Sequence, residues 1–258
     1  MSDNIQYQPS YPFDAICFDC DNTLTNAEGI DELAKFNGVE AQVKTLTDMA
    51  MSNEDISLQL YQERLELTKP SQQQFDALSE LYYNQKSKHV VDVIEVLNFL
   101  NKPIFVISAG NDPAVTQFSA QLSIPSHRVF AVKIFFDTQG NYLGFDESSP
   151  MTQRAGKKQI ISKIKQKYPK ILHIGDGNND LAVKPIVDLF IGYGGSVTRD
   201  GVKNNADVFI ECESMLPILP LCLHHTEVSQ LSPEHHDKLN QAITLLNEYV
   251  TIKDNINI

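Results

Sequence analysis

The sequence predicts an α/β fold built on a doubly wound parallel sheet, with a helical bundle inserted after the first strand. Short apolar runs recur along the chain and alternate with segments of helical periodicity. The apolar runs contain few polar residues, which is typical of strands that are covered on both faces. The segment 26–88 interrupts this alternation with helical patterns alone, and it therefore predicts a separate helical unit.

Five apolar runs are the predicted strands of the sheet, at 15–18, 103–107, 171–174, 189–191 and 207–210. Helical patterns separate them, at 90–100, 113–122 and 160–168. For the helix over 113–122, we expect Asp112 to be the N-cap and Pro113 the first residue. Alternating residues over 129–145 predict a hairpin whose turn lies at 137–141.

The inserted segment is predicted to contain four helices, at 30–36, 40–51, 56–68 and 72–84. Asn37-Gly38 is a typical signal for the end of the first helix, and Pro70-Ser71 begins the last. Because the insert follows the first strand, it should lie beside the carboxyl edge of the sheet. Open α/β sheets bind their ligands at that edge.

The expected organisation therefore has three parts. Residues 12–25 and 89–225 form the catalytic core, and 26–88 form a helical cap. The remaining segment, 226–258, is expected to be a helical tail whose helix begins near Ser232.

Charge and composition exclude several classes of partner. The net charge of −12 and pI of about 4.9 argue against nucleic-acid binding, because such a chain repels phosphate backbones. No apolar run approaches about 18 residues, so we expect no membrane span. Residues 1–10 are polar and resemble no signal peptide. We therefore expect a cytoplasmic protein whose cysteines are free thiols, at Cys17, Cys20, Cys212 and Cys222.

The strongest chemical signal follows the first predicted strand, where Asp19 and Asp21 stand two residues apart. Carboxylates at this spacing on a strand end face the same side, and their proximity is costly without a cation. Mg²⁺ is the expected cation, because it takes oxygen ligands and prefers phosphate-bearing sites. One carboxylate can attack phosphorus while the other handles the proton. For this motif alone, a solvated turn is the alternative.

Three further motifs follow predicted strands or begin a helix. A second acidic loop, 175–180, follows the strand at 171–174. A third strand ends in Ser108-Ala109-Gly110, where a hydroxyl and backbone N–H groups can cradle a phosphate. Lys157 stands at the start of a helical pattern and can hold a phosphate oxygen. The carboxyl ends of parallel strands share one sheet edge, so we expect these motifs to meet.

Together the four motifs resemble those of the haloacid dehalogenase (HAD) superfamily of phosphatases. That family has an Asp-x-Asp-x-Thr, a Ser or Thr ending the next strand, a Lys, and a Gly-Asp-x-x-x-Asp. These match in order at 19–23, Ser108, Lys157 and 175–180. The resemblance implies a HAD-like Rossmannoid core, a Mg²⁺ cofactor and an aspartyl-phosphate intermediate on Asp19.

The resemblance extends over roughly 13–223 to the eukaryotic-type phosphoserine phosphatases. It implies a small phosphomonoester substrate, L-phosphoserine, whose hydrolysis is the last step of serine biosynthesis. It also implies that Glu28 meets the substrate ammonium, that Arg64 meets its carboxylate, and that Met51 borders the pocket.

The same resemblance implies the roles of the core residues. Asp19 is the nucleophile, and Asp21 is the acid that becomes a base. Mg²⁺ is held by the Asp19 carboxylate, the Asp21 backbone carbonyl and Asp176. The phosphate-binding and supporting residues implied by the family are Ser108, Ala109, Gly110, Lys157 and Asn179 for the phosphate, with Thr23 and Asp180 as support.

Three residues depart from the family's pattern. Ala109 replaces a glycine, and its methyl group is costly if the position needs a positive φ. Ser57 replaces a phenylalanine of the cap, and Asn22 replaces a frequent serine. Ala109 and Ser57 favour one alternative, a HAD phosphatase that acts on another small phosphomonoester. A phospho-accepting signalling module is a second alternative, although the helical insert and the 175–180 loop count against it.

Overall fold

One eight-stranded sheet runs through the structure, a computed structural model that describes residues 8–52, 58–153 and 155–253. Its strands are β1 (Ala15–Phe18), β2 (Ile104–Asp112), β3 (Val129–Phe136), β4 (Tyr142–Phe145), β5 (Ile171–Gly175), β6 (Leu189–Tyr193), β7 (Val208–Ile210) and β8 (Val250–Ile252). Along the sheet their order is β4-β3-β2-β1-β5-β6-β7-β8. The six central strands are parallel, and the two edge strands are antiparallel to their neighbours. The predicted fold class is confirmed, with β4 and β8 as antiparallel edges.

Helices cover both faces of this sheet and fill the insert. The four inserted helices are α1 (Gly29–Phe36), α2 (Glu40–Ser52), α3 (Leu58–Thr68) and α4 (Gln72–Asn84). The others are α5 (Val90–Phe99), α6 (Ala114–Gln121), α7 (Gly156–Lys165), α8 (Asn178–Leu181), α9 (Asp200–Asn205), α10 (Ile218–Cys222), α11 (His225–Val228) and α12 (Pro233–Tyr249). No helix within the described ranges is long and apolar enough to cross a membrane.

Local sequence signals account for several helix ends. Gly38 follows the end of α1 and has φ +69°. Glycine adopts this conformation without a clash because it has no Cβ. The Ser71 side chain accepts a hydrogen bond from the Gln74 backbone N–H, and the Ser71 backbone N–H donates to the Gln74 side-chain oxygen. This capping box satisfies two backbone donors at the start of α4. Ser232 caps α12 through His235 N–H, as its position before Pro233 predicts.

The predicted N-cap at Asp112 is wrong. Strand β2 continues to Asp112, which pairs with Lys133 of β3, and Pro113 is the N-cap of α6. Ladder hydrogen bonds to β3 therefore outweigh the capping preference of the aspartate. The register between β2 and β3 shifts between Ile107 and Asn111, so the predicted phosphate-binding turn is an irregularity within the strand.

The tail contributes a strand as well as helices. Strand β8 pairs with β7, with Ile252 opposite Val208 and Val250 opposite Ile210. Helix α12 buries Leu239 and Leu246. A three-residue strand carries too little periodicity to be recognised, which explains why the sequence predicted only a helical tail. The tail therefore belongs to the main core, whereas the boundaries proposed for the cap stay a prediction.

We expect Leu246→Ala to lower the free energy of unfolding by about 2–5 kcal/mol, because it leaves a cavity beside the sheet. Leu246 is 4% exposed. Asn247→Ala, at the exposed neighbouring position on α12, should change it by less than about 0.5 kcal/mol. Urea unfolding followed by circular dichroism measures both. Equal midpoints for Leu246→Ala and the parent would show that α12 does not pack as described.

Candidate active site

The nucleophile candidate lies where β1 ends. Backbone N–H of Asp19 donates to the Ile174 carbonyl of β5, at 2.9 Å. Its carboxylate Oδ1 accepts from the Cys20 N–H at 2.8 Å. Because both neighbours of β1 are parallel strands, the loops after β1, β2 and β5 converge at the same edge. Asp19 is consequently buried in the floor of a cleft.

A buried ion network lies behind Asp19. The Lys157 ammonium is 2.8 Å from Asp19 Oδ1 and 2.6 Å from Asp180 Oδ1. His173 Nε2 lies 2.7 Å from the same Asp180 oxygen, and the Gly177 N–H donates to Asp180 Oδ2 at 3.2 Å. Both oxygens of Asp180 are thereby engaged by donors within the protein.

The two charges of this network stabilise each other. Burial opposes ionisation of Asp180, but the Lys157 ammonium and His173 together hold the pKa of Asp180 below its usual range. Burial likewise disfavours the Lys157 ammonium, yet Asp180 and Asp19 raise the pKa of Lys157 above its ordinary value. Lys157 is therefore a cation throughout the working pH range.

Asp176 lies in the loop after β5, beside Asp19. Thr23 Oγ1 donates to Asp176 Oδ1 at 3.3 Å, and Arg199 Nε donates to Oδ2 at 3.1 Å. Burial, followed by repulsion from Asp180, raises the pKa of Asp176 to about 6. The pKa of Asp19 is raised by burial and by Asp180, against the attraction of Lys157.

The acidic cluster fits a metal ion. Carboxylate oxygens of Asp19, Asp176 and Asp180 lie within 4.8 Å of one another, and all three residues are buried. The three carboxylates bring three negative charges to this cluster, whereas Lys157 and Arg199 bring two positive charges. A cation with a preference for oxygen ligands would offset the remainder. Lys157 contacts both Asp19 and Asp180, and Arg199 contacts Asp176, so all three carboxylates are candidate ligands.

The Ser108-Ala109-Gly110 segment faces the same cleft. Gly110 N–H donates to Ser108 Oγ at 2.9 Å. Among the residues that the structure describes, the non-glycine positions with positive φ do not include Ala109. The alanine therefore carries no cost from a left-handed backbone, and it lines the cavity beside Asp19.

A cavity of about 420 Å³ joins the core motifs to the insert. Nine of the residues expected at the site line it, namely Asp19, Asp21, Glu28, Arg64, Ser108, Ala109, Gly110, Asp176 and Asn179. Lys157, Thr23 and Asp180 lie behind this wall, and each contacts one of its carboxylates or the Lys157 ammonium. Met51 belongs to α2, but its side chain lies outside the described part of the chain, as does Ser57.

Glu28 precedes α1, and Asn22, one of the three residues that depart from the family pattern, holds its side chain. Asn22 Nδ2 donates to Glu28 Oε2 at 2.8 Å, and Ser196 Oγ donates to Asn22 Oδ1 at 3.2 Å. Asn22 has φ 53°, a conformation that asparagine tolerates better than most residues. Burial and the neighbouring Asp21 raise the pKa of Glu28 to about 8.

Arg64 reaches the cavity from α3. It is 8% exposed, and its guanidinium carbon lies 5.7 Å from the centre of the Tyr61 ring. Within the described residues, Nε of Arg64 is buried without a hydrogen-bond partner. Buried donors are nearly always satisfied, so this nitrogen is suited to a ligand that brings an acceptor.

Sequence reasoning missed Arg199, His173 and Tyr82. Arg199 contacts Asp176 from the start of α9, and His173 contacts Asp180 from within β5. Tyr82 of α4 donates to Asp21 Oδ1 at 2.5 Å. Arg199 and Tyr82 stand in no contiguous motif, and His173 lies within the predicted apolar strand 171–174, where nothing singled out its side chain. The one usable signal in the sequence is that Arg199 follows the glycine pair Gly194-Gly195 after a predicted strand.

Comparison with known proteins agrees with this geometry. A family model described as a haloacid dehalogenase-like hydrolase matches residues 13–183, which include all four motifs. The chain belongs to the haloacid dehalogenase-like hydrolases. It is therefore an enzyme, and the resemblance inferred from the motifs is confirmed.

Curated relatives within this hydrolase family are named phosphoserine phosphatase. The rat protein is 40% identical over 199 residues, covering 76% of this chain and 88% of the relative. The human protein is 39% identical over 202 residues, covering 78% and 90%. A solved structure of a phosphoserine phosphatase with a phospho-aspartyl intermediate analogue has a TM-score of 0.68 at 25% identity, covering 81% of this chain and 98% of that one. A substrate-bound phosphoserine phosphatase complex, 24% identical and with the same coverage, has a TM-score of 0.69 and supports the fold.

We expect the hydrolase to lose stability without metal as Glu28 ionises. A carboxyl with a raised folded-state pKa binds its proton more tightly in the folded state. The stability that protonated Glu28 gives the folded state is therefore lost as pH rises from the pKa of Glu28 in the unfolded chain toward about 8. In EDTA, Glu28→Gln should raise the melting temperature relative to the parent by roughly 2–4 °C more at pH 8 than at pH 5.

Scanning calorimetry at the two pH values provides the measurement, with the exposed Glu248→Gln as the matched control. An equal difference between Glu28→Gln and the parent at both pH values would contradict the raised pKa.

Proposed function

We propose that this hydrolase converts L-phosphoserine to L-serine and phosphate, with Asp19 as nucleophile. The observation that carries the proposal is the pairing of Glu28 with Arg64 in the cavity that contains Asp19. An amino-acid phosphoester presents an ammonium and a carboxylate beside its phosphate. The cavity offers the Arg64 cation to the carboxylate, and it offers the Glu28 carboxyl, whose ionisation a bound ammonium would favour. Relatives named phosphoserine phosphatase support the same substrate.

Arg64 is proposed to bind the substrate carboxylate. A carboxylate would satisfy its buried Nε, which has no partner among the described residues, through a charge-assisted hydrogen bond. Glu28 is proposed to bind the ammonium, and the Asn22 amide keeps one of its oxygens in place. Met51 is proposed to border the same pocket.

The phosphoryl group is proposed to lie against the β2 and β5 loops. Phosphoryl transfer depends mainly on positioning and charge neutralisation. The proposed contacts are Ser108 Oγ, the N–H groups of Ala109 and Gly110, Asn179 and the Lys157 ammonium. Lys157 supports this role because it is a buried cation that contacts the Asp19 carboxylate.

Mg²⁺ is the proposed metal, since the available donors are all oxygens. The Asp19 carboxylate, the Asp21 backbone carbonyl and Asp176 would hold it. When bound, Mg²⁺ supplies positive charge that offsets the charge of the phosphoryl oxygens. Thr23 would orient Asp176, and Asp180 would orient Lys157, as their hydrogen bonds support.

The proposed reaction has two steps. An Asp19 oxygen attacks phosphorus, the bond from phosphorus to the serine oxygen breaks, and Asp21 gives its proton to that oxygen. Asp21 then takes a proton from water, whose oxygen attacks the phospho-aspartate, releasing phosphate and restoring Asp19. Burial raises the pKa of Asp21, against the hydrogen bond from Tyr82, and this supports a protonated acid at the start.

The proposal also covers the setting of the reaction. Residues 26–88 would act as a cap that excludes bulk water from a core of 12–25 and 89–225. The substrate is a small phosphomonoester, and the product would complete serine biosynthesis. The cytoplasmic location expected from the sequence belongs to this proposal.

Asp19→Asn should lower phosphate release by roughly a thousandfold or more, because the amide is a poor nucleophile. Since burial raises the pKa of Asp19, removing its charge should leave the metal-free melting temperature unchanged or higher. Phosphate release and calorimetry are measured beside the exposed Asp237→Asn. Parental turnover in Asp19→Asn would exclude it as nucleophile.

Substrate identity is tested by phosphate release from L-phosphoserine, phosphothreonine, phosphoethanolamine and sugar phosphates, each with Mg²⁺ and with EDTA. We expect magnesium-dependent release that is fastest from L-phosphoserine. Phosphoethanolamine lacks the carboxylate, so Arg64→Ala should lower kcat/KM for L-phosphoserine by about tenfold or more while changing phosphoethanolamine little. Release only from other esters would keep the Asp19 chemistry and reject the substrate.

A further inference from the structure

The insert supplies a hydrogen bond to the proposed acid. Tyr82 of α4 donates to Asp21 Oδ1 at 2.5 Å, across 61 residues of sequence. The tyrosine is completely buried, and its ring packs edge-on against Phe118 of α6 with centroids 5.6 Å apart. Its backbone carbonyl accepts from Thr25 Oγ1 at 3.1 Å. The hydroxyl is therefore held at Asp21 by contacts with both the insert and the core.

A second donor reaches the same oxygen. Gly29 N–H donates to Asp21 Oδ1 at 3.1 Å. A Cβ at Gly29 would lie 2.0 Å from Tyr82 Oη, so a side chain there would displace the tyrosine. Glycine at the first position of α1 is what allows the phenol to approach Asp21.

The two oxygens of Asp21 are therefore different. Oδ1 accepts two hydrogen bonds, whereas no donor within the described residues reaches Oδ2. Oδ2 faces the phosphate-binding segment of β2, and it lies 2.7 Å from where a Cβ of Gly110 would stand. A carboxyl group whose Oδ1 faces two donors places its own proton on the other oxygen.

We propose that Tyr82 is a positioning residue that, with Gly29 N–H, orients Asp21 so that Oδ2 exchanges the proton with the leaving group. The inference rests on the proposed function, because it assumes that Asp21 protonates the ester oxygen. Two groups of the insert, the Tyr82 hydroxyl and the Gly29 N–H, thus help to orient the Asp21 carboxyl. Tyr82 does not touch the substrate and acts only through Asp21.

Leaving groups of different basicity separate positioning from mere packing. Serine leaves as an alcohol and needs a proton as its bond to phosphorus breaks, whereas p-nitrophenolate leaves without one. A disturbed fold or phosphate site would slow both esters, but a misplaced proton donor slows only the alkyl ester. kcat/KM is the quantity to compare, because it reports the first phosphoryl transfer.

Tyr82→Phe should lower kcat/KM for L-phosphoserine by about tenfold or more and change p-nitrophenyl phosphate by less than about twofold. Tyr83→Phe is the matched control, since Tyr83 is adjacent and its ring contacts Lys86, 4.2 Å from the ring centre. Its hydroxyl makes no hydrogen bond within the described ranges. The control should leave both substrates at parental values.

Gly29→Ala is a second, independent variant, because it displaces the Tyr82 hydroxyl without removing it. It should show the same selective loss on the alkyl ester.

Equal losses on both esters, or no loss on either, in Tyr82→Phe would overturn the positioning role. If the parent releases phosphate from another alkyl ester instead of phosphoserine, the comparison uses that ester and only the proposed substrate falls. Parental turnover in Asp19→Asn would instead overturn the proposed function itself.

Discussion

The Lys157 ammonium lies between two buried carboxylates, 2.8 Å from Asp19 and 2.6 Å from Asp180. Removing three charges from water costs several kcal/mol each, and only close, well-directed partners offset that cost. The parallel pairing of β1 with β5 supplies this geometry, because it brings the loops that carry Asp19 and Asp180 to one edge. Helix α7 begins one residue before Lys157, and this position places the ammonium between Asp19 and Asp180. Loss of Lys157 would remove the ammonium that both carboxylates contact.

This ion network still leaves the site short of positive charge. Asp176 adds a third carboxylate, and Arg199 neutralises it only from one side, at 3.1 Å. Burial is the first cause of the raised pKa values of Asp19 and Asp176, and repulsion from Asp180 adds to it. A bound cation would lower the free-energy cost of ionising both carboxylates, so the same arrangement favours a metal. Metal affinity and metal-free instability are thus two consequences of one arrangement.

The features that could be predicted from the sequence are those formed by neighbouring residues in the chain. The buried strands were visible as apolar runs, and the four motifs were visible because each is a short segment at a strand or helix end. Tyr82 and Arg199 escaped notice because their partners are 61 and 23 residues away, and such contacts depend on helix packing that no local pattern encodes. The boundary at Asp112 was misplaced for a related reason: pairing with β3 decides where β2 ends, and that partner lies elsewhere in the sequence.

The insert and the core divide the work of the site between them. The core motifs concentrate charge around the phosphoryl group, which every substrate of such an enzyme shares. Glu28, Arg64 and Tyr82 all come from the segment between β1 and β2. In the proposed mechanism, Glu28 and Arg64 bind the ammonium and the carboxylate, and Tyr82 orients the acid that protonates the leaving oxygen. A bundle that binds the substrate and also orients the acid makes proton transfer depend on the same packing that recognises the substrate. Changes in the insert would therefore alter leaving-group and substrate preference together, while the aspartyl chemistry of the core stayed the same.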